Sequence, residues 1–188
     1  MSSSSFIYRQ RSSAQGFTLV ELLATVTILA ILLAVGVPNL TQMLQDKAAA
    51  SCAAAFASDL RLARTEAIKR GVPIELCGVS IATTTNNQII YSCLPATVTD
   101  WTANGWMVPN PNDAAHPIKV QAIPTGAGKF QVALGSGSYS LRFNPTGILS
   151  IGGGFGTATI SPPNNAVSVR RVVVSNTGRT RVTKGNQS

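Results

Sequence analysis

The sequence predicts an α+β protein in which one long N-terminal helix carries an all-β domain. Three observations carry this prediction. Residues 17–37 form a 21-residue apolar run broken by a single charge, Glu21. A stripe of apolar residues at helical spacing continues beyond Pro38. After Gly71 the pattern changes to short runs rich in Val, Ile, Tyr and Thr, separated by Gly, Pro and Asn. With 188 residues the chain has room for one core and an appendage, which excludes two large domains. A hydrophobic share of 45% excludes disorder of the whole chain, and a charged share of 12% points to a part that lives out of water.

Taken in order, residues 1–16 are polar and carry Arg9 and Arg11 without an acid. At about 1.5 Å per residue the apolar run that follows spans roughly 30 Å, the thickness of a bilayer's hydrocarbon core. The positive leader is expected to stay cytoplasmic and the rest to be exported. An ordinary signal peptide fits badly, since its cleavage site follows its apolar segment. Here the small residue, Gly16, precedes Phe17. Glu21 needs an explanation, because a carboxylate in the membrane costs about 2.5 to 3.5 kcal/mol on insertion scales. It either pairs with a cation, the nearest being an amine created by cleavage before Phe17, or lies close enough to the helix end to reach headgroups.

Beyond Pro38, where a backbone hydrogen bond is lost and a kink is expected, the stripe is Leu40, Leu44, Ala48, Cys52, Phe56, Leu60, Ala63 and Ala67. Lys69, Arg70, Gly71 and Pro73 mark its end. A helix of about 50 residues follows, its second half laid on the globular domain. Glu66 and Arg70 make an i,i+4 pair, and Arg61 and Arg64 read as solvated charges. Strands are expected near 72–77, 88–93, 105–108, 117–123, 129–134, 138–144, 147–151, 156–160 and 166–174, with turns at 86–87, 135–137, 144–147, 152–154 and 162–165. Gly152, Gly153 and Gly154 lack the Lys-Ser/Thr and helix start of a phosphate loop.

Cys77 and Cys93 end two expected strands joined by a polar loop, and in an oxidising compartment they are expected to form a disulfide. Cys52, on the apolar stripe, reads as a buried free thiol. No second ligand cluster accompanies these thiols, so no metal is expected. His116, with Asp113 nearby, reads as an exposed loop residue, and no nucleophile motif or cofactor signature accompanies it. The chain is expected to be no enzyme, with no catalytic residues and no cofactor.

The charge is lopsided. Residues 17–113 hold five basic and seven acidic residues, whereas residues 114–188 hold eight basic residues and no acid. Such a bias suggests a polyanionic partner, nucleic acid or an anionic membrane surface.

Gly16-Phe17-Thr18-Leu19-Val20-Glu21 followed by an apolar helix resembles the prepilin signature of type IV pilins and of the pseudopilins of type II secretion. The resemblance implies cleavage after Gly16 by prepilin peptidase and N-methylation of Phe17. It also implies packing of the helix into a filament of other pilins or pseudopilins, with Glu21 meeting the Phe17 amine of a neighbouring subunit. The segments around Phe56 to Cys77, Phe143-Asn144-Pro145-Thr146-Gly147 and Arg171-Val172-Val173-Val174-Ser175-Asn176-Thr177-Gly178-Arg179 resemble the GspH/FimT family of minor pseudopilins. That family implies a pilin-like fold with a sandwich-like β domain, and it has two branches, secretion pseudopilins and FimT-like proteins of pili that take up DNA.

Gly178-Arg179-Thr180-Arg181 is similar to the GRxR motif of the FimT-like branch. In an extended chain Arg179 and Arg181 project to one side about 6.6 Å apart, close to the spacing of phosphates on one strand. Gly178 lets the backbone turn and a guanidinium fork holds phosphate oxygens bidentately. The expected DNA-binding set is Arg179, Arg181, Lys184 and Gly178, with help from Arg170 and Arg171. The expected organisation is a cleaved leader at 1–16, a transmembrane and filament-core half-helix at 17–39 and an amphipathic half at 40–71. A β-rich domain at 72–175 and a basic tail at 176–188 complete it. The expected protein is a minor pilin, anchored in the inner membrane with its C-terminal domain periplasmic and then displayed on a pilus. There it binds DNA without sequence preference during natural transformation. The alternative is a structural pseudopilin of type II secretion whose tail contacts partner subunits or headgroups.

Overall fold

The computed structural model describes residues 16–95, 98–113, 115–134, 141–150 and 156–185. Helix α1 spans Leu19–Arg70, 52 residues that run through Pro38. Thr18 caps its start, its Oγ1 accepting the Glu21 N–H at 3.2 Å. Gly71, with φ +67°, ends it by donating its N–H to Ala67 O at 3.0 Å. The chain falls into two compact units, one up to Asn39 and one from Leu40 onward. The described part of the first unit is fully exposed, and by length and composition its helix can cross a membrane.

In the second unit Ala49, Cys52, Ala53, Phe56, Ala57, Leu60, Ala63 and Ala67 are buried. The stripe read from sequence is therefore correct from Ala48 onward, Ala48 packing partly buried against the core. Leu40 and Leu44, expected to face the domain, are 57% and 60% exposed. Small alanines let the helix lie close to the sheets, and Phe56 supplies the bulk. Its ring stands edge-on to Phe130 and Trp106, with centroids 5.0 and 5.1 Å away.

The β domain is built from β1 (Ile74–Thr83), β2 (Ile89–Cys93), β3 (Trp106–Val108), β4 (Lys119–Gln121), β5 (Lys129–Leu134), β6 (Leu141–Phe143), β7 (Gly156–Ser161), β8 (Val169–Val174) and β9 (Thr180–Gly185). They form two antiparallel sheets. One has the order β2-β1-β3-β4 with β6 also paired to β1, and the other is β5-β7-β8-β9. Phe130, Val132, Ala158, Ile160, Val172 and Val174 project from the second sheet into the core that the helix completes.

Three differences from the sequence reading stand out. Strand β1 runs on to Thr83 because β2 pairs with it as far as Thr83↔Ile89. Of the strand expected at 147–151, only a bridge between Leu149 and Phe143 forms among the described residues. The largest difference is at the C-terminus. Residues 180–185, expected as part of a tail, form β9 and pair along the whole of β8, from Val174↔Thr180 to Val169↔Gly185. Thr180, Val182 and Thr183 are β-branched, and cations suit an edge strand that must not recruit another chain. The turns expected at 135–137 and 152–154 lie outside the described residues, as do residues 1–15 and 186–188.

Candidate nucleic-acid interface

The β8-β9 hairpin turns at residues 175–178. Gly178 donates to Ser175 O at 2.8 Å, Ser175 N–H to Arg179 O at 2.9 Å, and Arg179 N–H to Ser175 Oγ at 3.2 Å. Gly178 has φ +75° and is buried, and a Cβ there would lie 2.6 Å from Gly147 O and 3.2 Å from Arg64 Nε. Both the backbone conformation and the space require glycine. The turn thus rests on the 144–147 turn and on the helix. Arg179 and Arg181 leave it exposed, and with Val173, Ser175, Thr180 and Thr183 they line one open cleft of about 630 Å³.

The pleat sorts the remaining cations. Arg181 stands opposite Val173 and Thr183 opposite Arg171, while Lys184 stands opposite Arg170. Arg171 and Arg181 therefore share the outer face of the sheet, and Arg170 and Lys184 share the face turned to the helix. On that inner face Arg170 Nη2 donates to Asp46 Oδ1 at 2.6 Å. The Arg170 hydrogen bond holds the Asp46 carboxyl below its ordinary range, and the charges of Arg170 and Lys184 act in the same direction. The expected set of Arg170, Arg171, Arg179, Arg181 and Lys184 is thus not brought together. Arg171, Arg179 and Arg181 are exposed on one side and Lys184 is exposed on the other, whereas Arg170 is committed to the helix.

Three residues behave otherwise than their sequence context implied. Arg64 is only half-exposed: its Nε is buried without a hydrogen-bond partner, beneath Gly147 and Gly178. Asp59 is buried, accepting from Trp106 Nε1 at 2.9 Å and from Lys119 Nζ at 2.6 Å. Its signal was present in the spacing, since Phe56, Asp59 and Ala63 lie on one helix face. Lys119, counted among the excess cations, is thereby paired.

The other expected positions are as follows. Gly16, Phe17 and Glu21 lie exposed in the first unit. Cys77 and Cys93 are bonded, with an S–S distance of 1.99 Å, and Cys52 is a buried free thiol whose pKa burial pushes up to about 12. Cys77, Cys93 and Glu75 are close enough to suggest a metal site, but the disulfide consumes both sulfurs. His116 is exposed, with Nδ1 2.7 Å from Asp113 Oδ2, and that hydrogen bond lowers the Asp113 pKa. Glu66 and Arg70 pair at 2.6 Å.

A family model described as type II transport protein GspH matches residues 53–178, and one described as the prokaryotic N-terminal methylation motif matches residues 11–37. The chain belongs to the GspH family. It is accordingly a minor type IV pilin or pseudopilin with the GspH/FimT-like fold of one long helix and antiparallel sheets. Solved structures similar to this GspH-family chain include two of the type IV minor pilin FimU of Pseudomonas aeruginosa. One has 16% identity and a TM-score of 0.47, covering 71% of this chain and 86% of that one. The other has 17% identity and a TM-score of 0.45, covering 71% and 90%. The minor pseudopilin EpsH from the type 2 secretion system of Vibrio cholerae has 18% identity and a TM-score of 0.42, covering 72% and 96%. No curated protein matches the chain.

Proposed function

We propose that this GspH-family protein is a FimT-like minor pilin that captures DNA without sequence preference through Arg179 and Arg181 during natural transformation. One observation carries the reading: both arginines line one open cleft, held there by a glycine turn that no other residue fits. Guanidinium groups there bind phosphate oxygens as charge-assisted, bidentate donors and release condensed counterions. Phosphate contacts fix register without reading bases, which accounts for capture of unrelated sequences. The N-terminal motif supports cleavage after Gly16, methylation of Phe17 and anchoring in the inner membrane with the β domain periplasmic. In this reading the helix then enters the filament, where Glu21 neutralises a neighbour's amine.

The second reading is a structural pseudopilin of type II secretion, favoured by the description of the matching family model. Binding of a fluorescent duplex to the full chain in uncharged detergent micelles separates the two. If Arg179 and Arg181 contact phosphates, Arg179→Gln with Arg181→Gln weakens binding to unrelated duplexes by similar factors. It also reduces the log-affinity against log-salt slope by about 1.8, roughly 0.9 per lost contact. A slope equal to that of the unchanged protein would leave the secretion reading.

A further inference from the structure

The outer face of the second sheet carries a pattern that the hairpin alone does not explain. Register places Gln131, Thr159, Arg171 and Thr183 side by side across all four strands. The next row toward the hairpin turn holds Thr157, Val173 and Arg181, and the row on the other side holds Lys129 and Ser161. Among the described residues no aromatic side chain occupies these rows, and the one acid that joins them is Asp100, bridged to Gln131 at the β5 edge. Arg171 is opposite Thr183 and therefore diagonal to Arg181, a spacing of about 7 to 8 Å. Gly185, with no side chain, leaves the outer end of β9 open to the Arg171 guanidinium, whose Nη1 would be 3.3 Å from a Cβ there.

Lys129 lies at the opposite corner, in a second open cleft of about 630 Å³ that Thr102, Gly128, Ser161 and Asn165 help to line. From Arg181 to Lys129 the face measures about 20 Å along its diagonal, given three strand spacings and four residues of rise. The acid nearest this corner, Asp100, bridges to Gln131 beside β5, accepts hydrogen bonds from the Thr102 backbone and hydroxyl, and is also stabilised by the charge of Lys129, which makes Lys129 the most screened cation of the face.

We infer that this face is a phosphodiester track: one nucleic-acid backbone runs from the Arg179–Arg181 cleft over Arg171 and the Thr159–Thr183 row to Lys129. The inference rests on the DNA reading of the cleft and extends it to a footprint. Arg179, Arg181 and Arg171 stand roughly one phosphate step apart, and Lys129, two strand spacings and two residues of rise from Arg171, about 12 Å, stands roughly two steps further on. Hydroxyl and amide groups between them supply donors to phosphate oxygens. Among the described residues the face carries no aromatic side chain to serve as a stacking platform, so it holds backbone and leaves bases unread.

The test uses the full chain in uncharged micelles, a fluorescent 25-base-pair duplex and a potassium chloride series. Lys129→Gln with Arg171→Gln should reduce the salt slope by about 1.8, as the Arg179/Arg181 pair does, and the fourfold variant by about 3.6. Arg61→Gln with Lys69→Gln, two exposed helix cations, is the charge-matched control and should leave the slope unchanged. Thr159→Val keeps shape and charge, and should weaken binding about fivefold at unchanged slope. Melting curves identify any variant that fails to fold. If Lys129/Arg171 matches the control while Arg179/Arg181 does not, the track is overturned and the cleft stands. If neither double variant differs from the control, the cleft fails and the track with it. An unchanged affinity for Thr159→Val overturns the hydroxyl row. Loss of adhesion to phosphatidylglycerol vesicles with intact duplex binding overturns the track in favour of lipid headgroups.

Discussion

The two faces of the β8-β9 hairpin draw on one basic segment and put it to opposite uses. On the inner face Arg170 meets Asp46 of the helix at 2.6 Å, with Lys184 beside it in register. On the outer face Arg171 and Arg181 are exposed and face no acid. Residues adjacent in sequence, Arg170 and Arg171, therefore belong to different problems. One holds the sheet to the helix and the other is left for a partner. Net charge after residue 113 overstates what an anion can reach, because Lys119 and Arg170 are answered by Asp59 and Asp46 from the helix.

If the inner cations are structural, removing an inner acid should cost stability and leave DNA binding intact. Asp59 offers the largest effect. Asp59→Ala leaves the Trp106 indole N–H without its acceptor and strands Lys119, a loss of about 3 kcal/mol, near the lower end for broken buried pairs since Lys119 is partly exposed. Urea denaturation measures it. A loss below about 1 kcal/mol would mean that the pair behaves like a surface one.

Gly178 joins the two faces, and its substitution sharpens the contrast. Gly178→Ala forces a left-handed backbone on a residue with a Cβ and drives that Cβ to 2.6 Å from Gly147 O. Stability should fall by about 1 to 3 kcal/mol, and DNA binding should weaken as well because Arg179 leaves its place. Asp59→Ala should not show the second effect. Denaturation and duplex titration on the same protein separate them, and a Gly178→Ala protein with unchanged affinity would detach the turn from the site.

How much of this was legible in sequence differs by element. The helix and its end were legible, because apolar spacing and the Gly71 stop are local signals. So were Cys77 and Cys93, which the structure bonds as expected. Strand β9 was not: Thr180–Gly185 has one apolar residue, Val182, among cations and threonines, which reads as a solvated tail until β8 supplies its ladder. The sorting of Arg170 from Arg171 was equally hidden, since the pleat decides it and the pleat is known only once residues 169–174 are placed in register. That the Arg64 Nε is covered was hidden too, because nothing near it in sequence reveals that two glycine turns, around Gly147 and Gly178, settle on it.

The smallest expected effect concerns Asp46, and it tests the separation of the faces directly. Its carboxyl titrates below its ordinary range mainly because Arg170 hydrogen-bonds the ionised form. A depressed folded pKa contributes stability that is fully present above the unfolded value, about 3.9, and is lost as pH falls through the lower folded value. Asp46→Asn should therefore lower stability at pH 7 by about 1 kcal/mol or less, since the pair is only partly buried. The difference from the unchanged protein should shrink below about pH 4. Comparing the two proteins pH by pH removes the acid response of Asp100 and Asp113, whose pKa values are also lowered. The same variant removes the carboxylate that pairs with Arg170 and lies near Lys184 on the inner face of the hairpin. If the faces are separate, its salt slope for duplex binding stays that of the unchanged protein, because the Arg170 side chain remains covered, at 17% exposure. A slope increased by about 0.9 would mean that an inner cation had reached a phosphate, and the division between the two faces would then be one of occupancy, not of geometry.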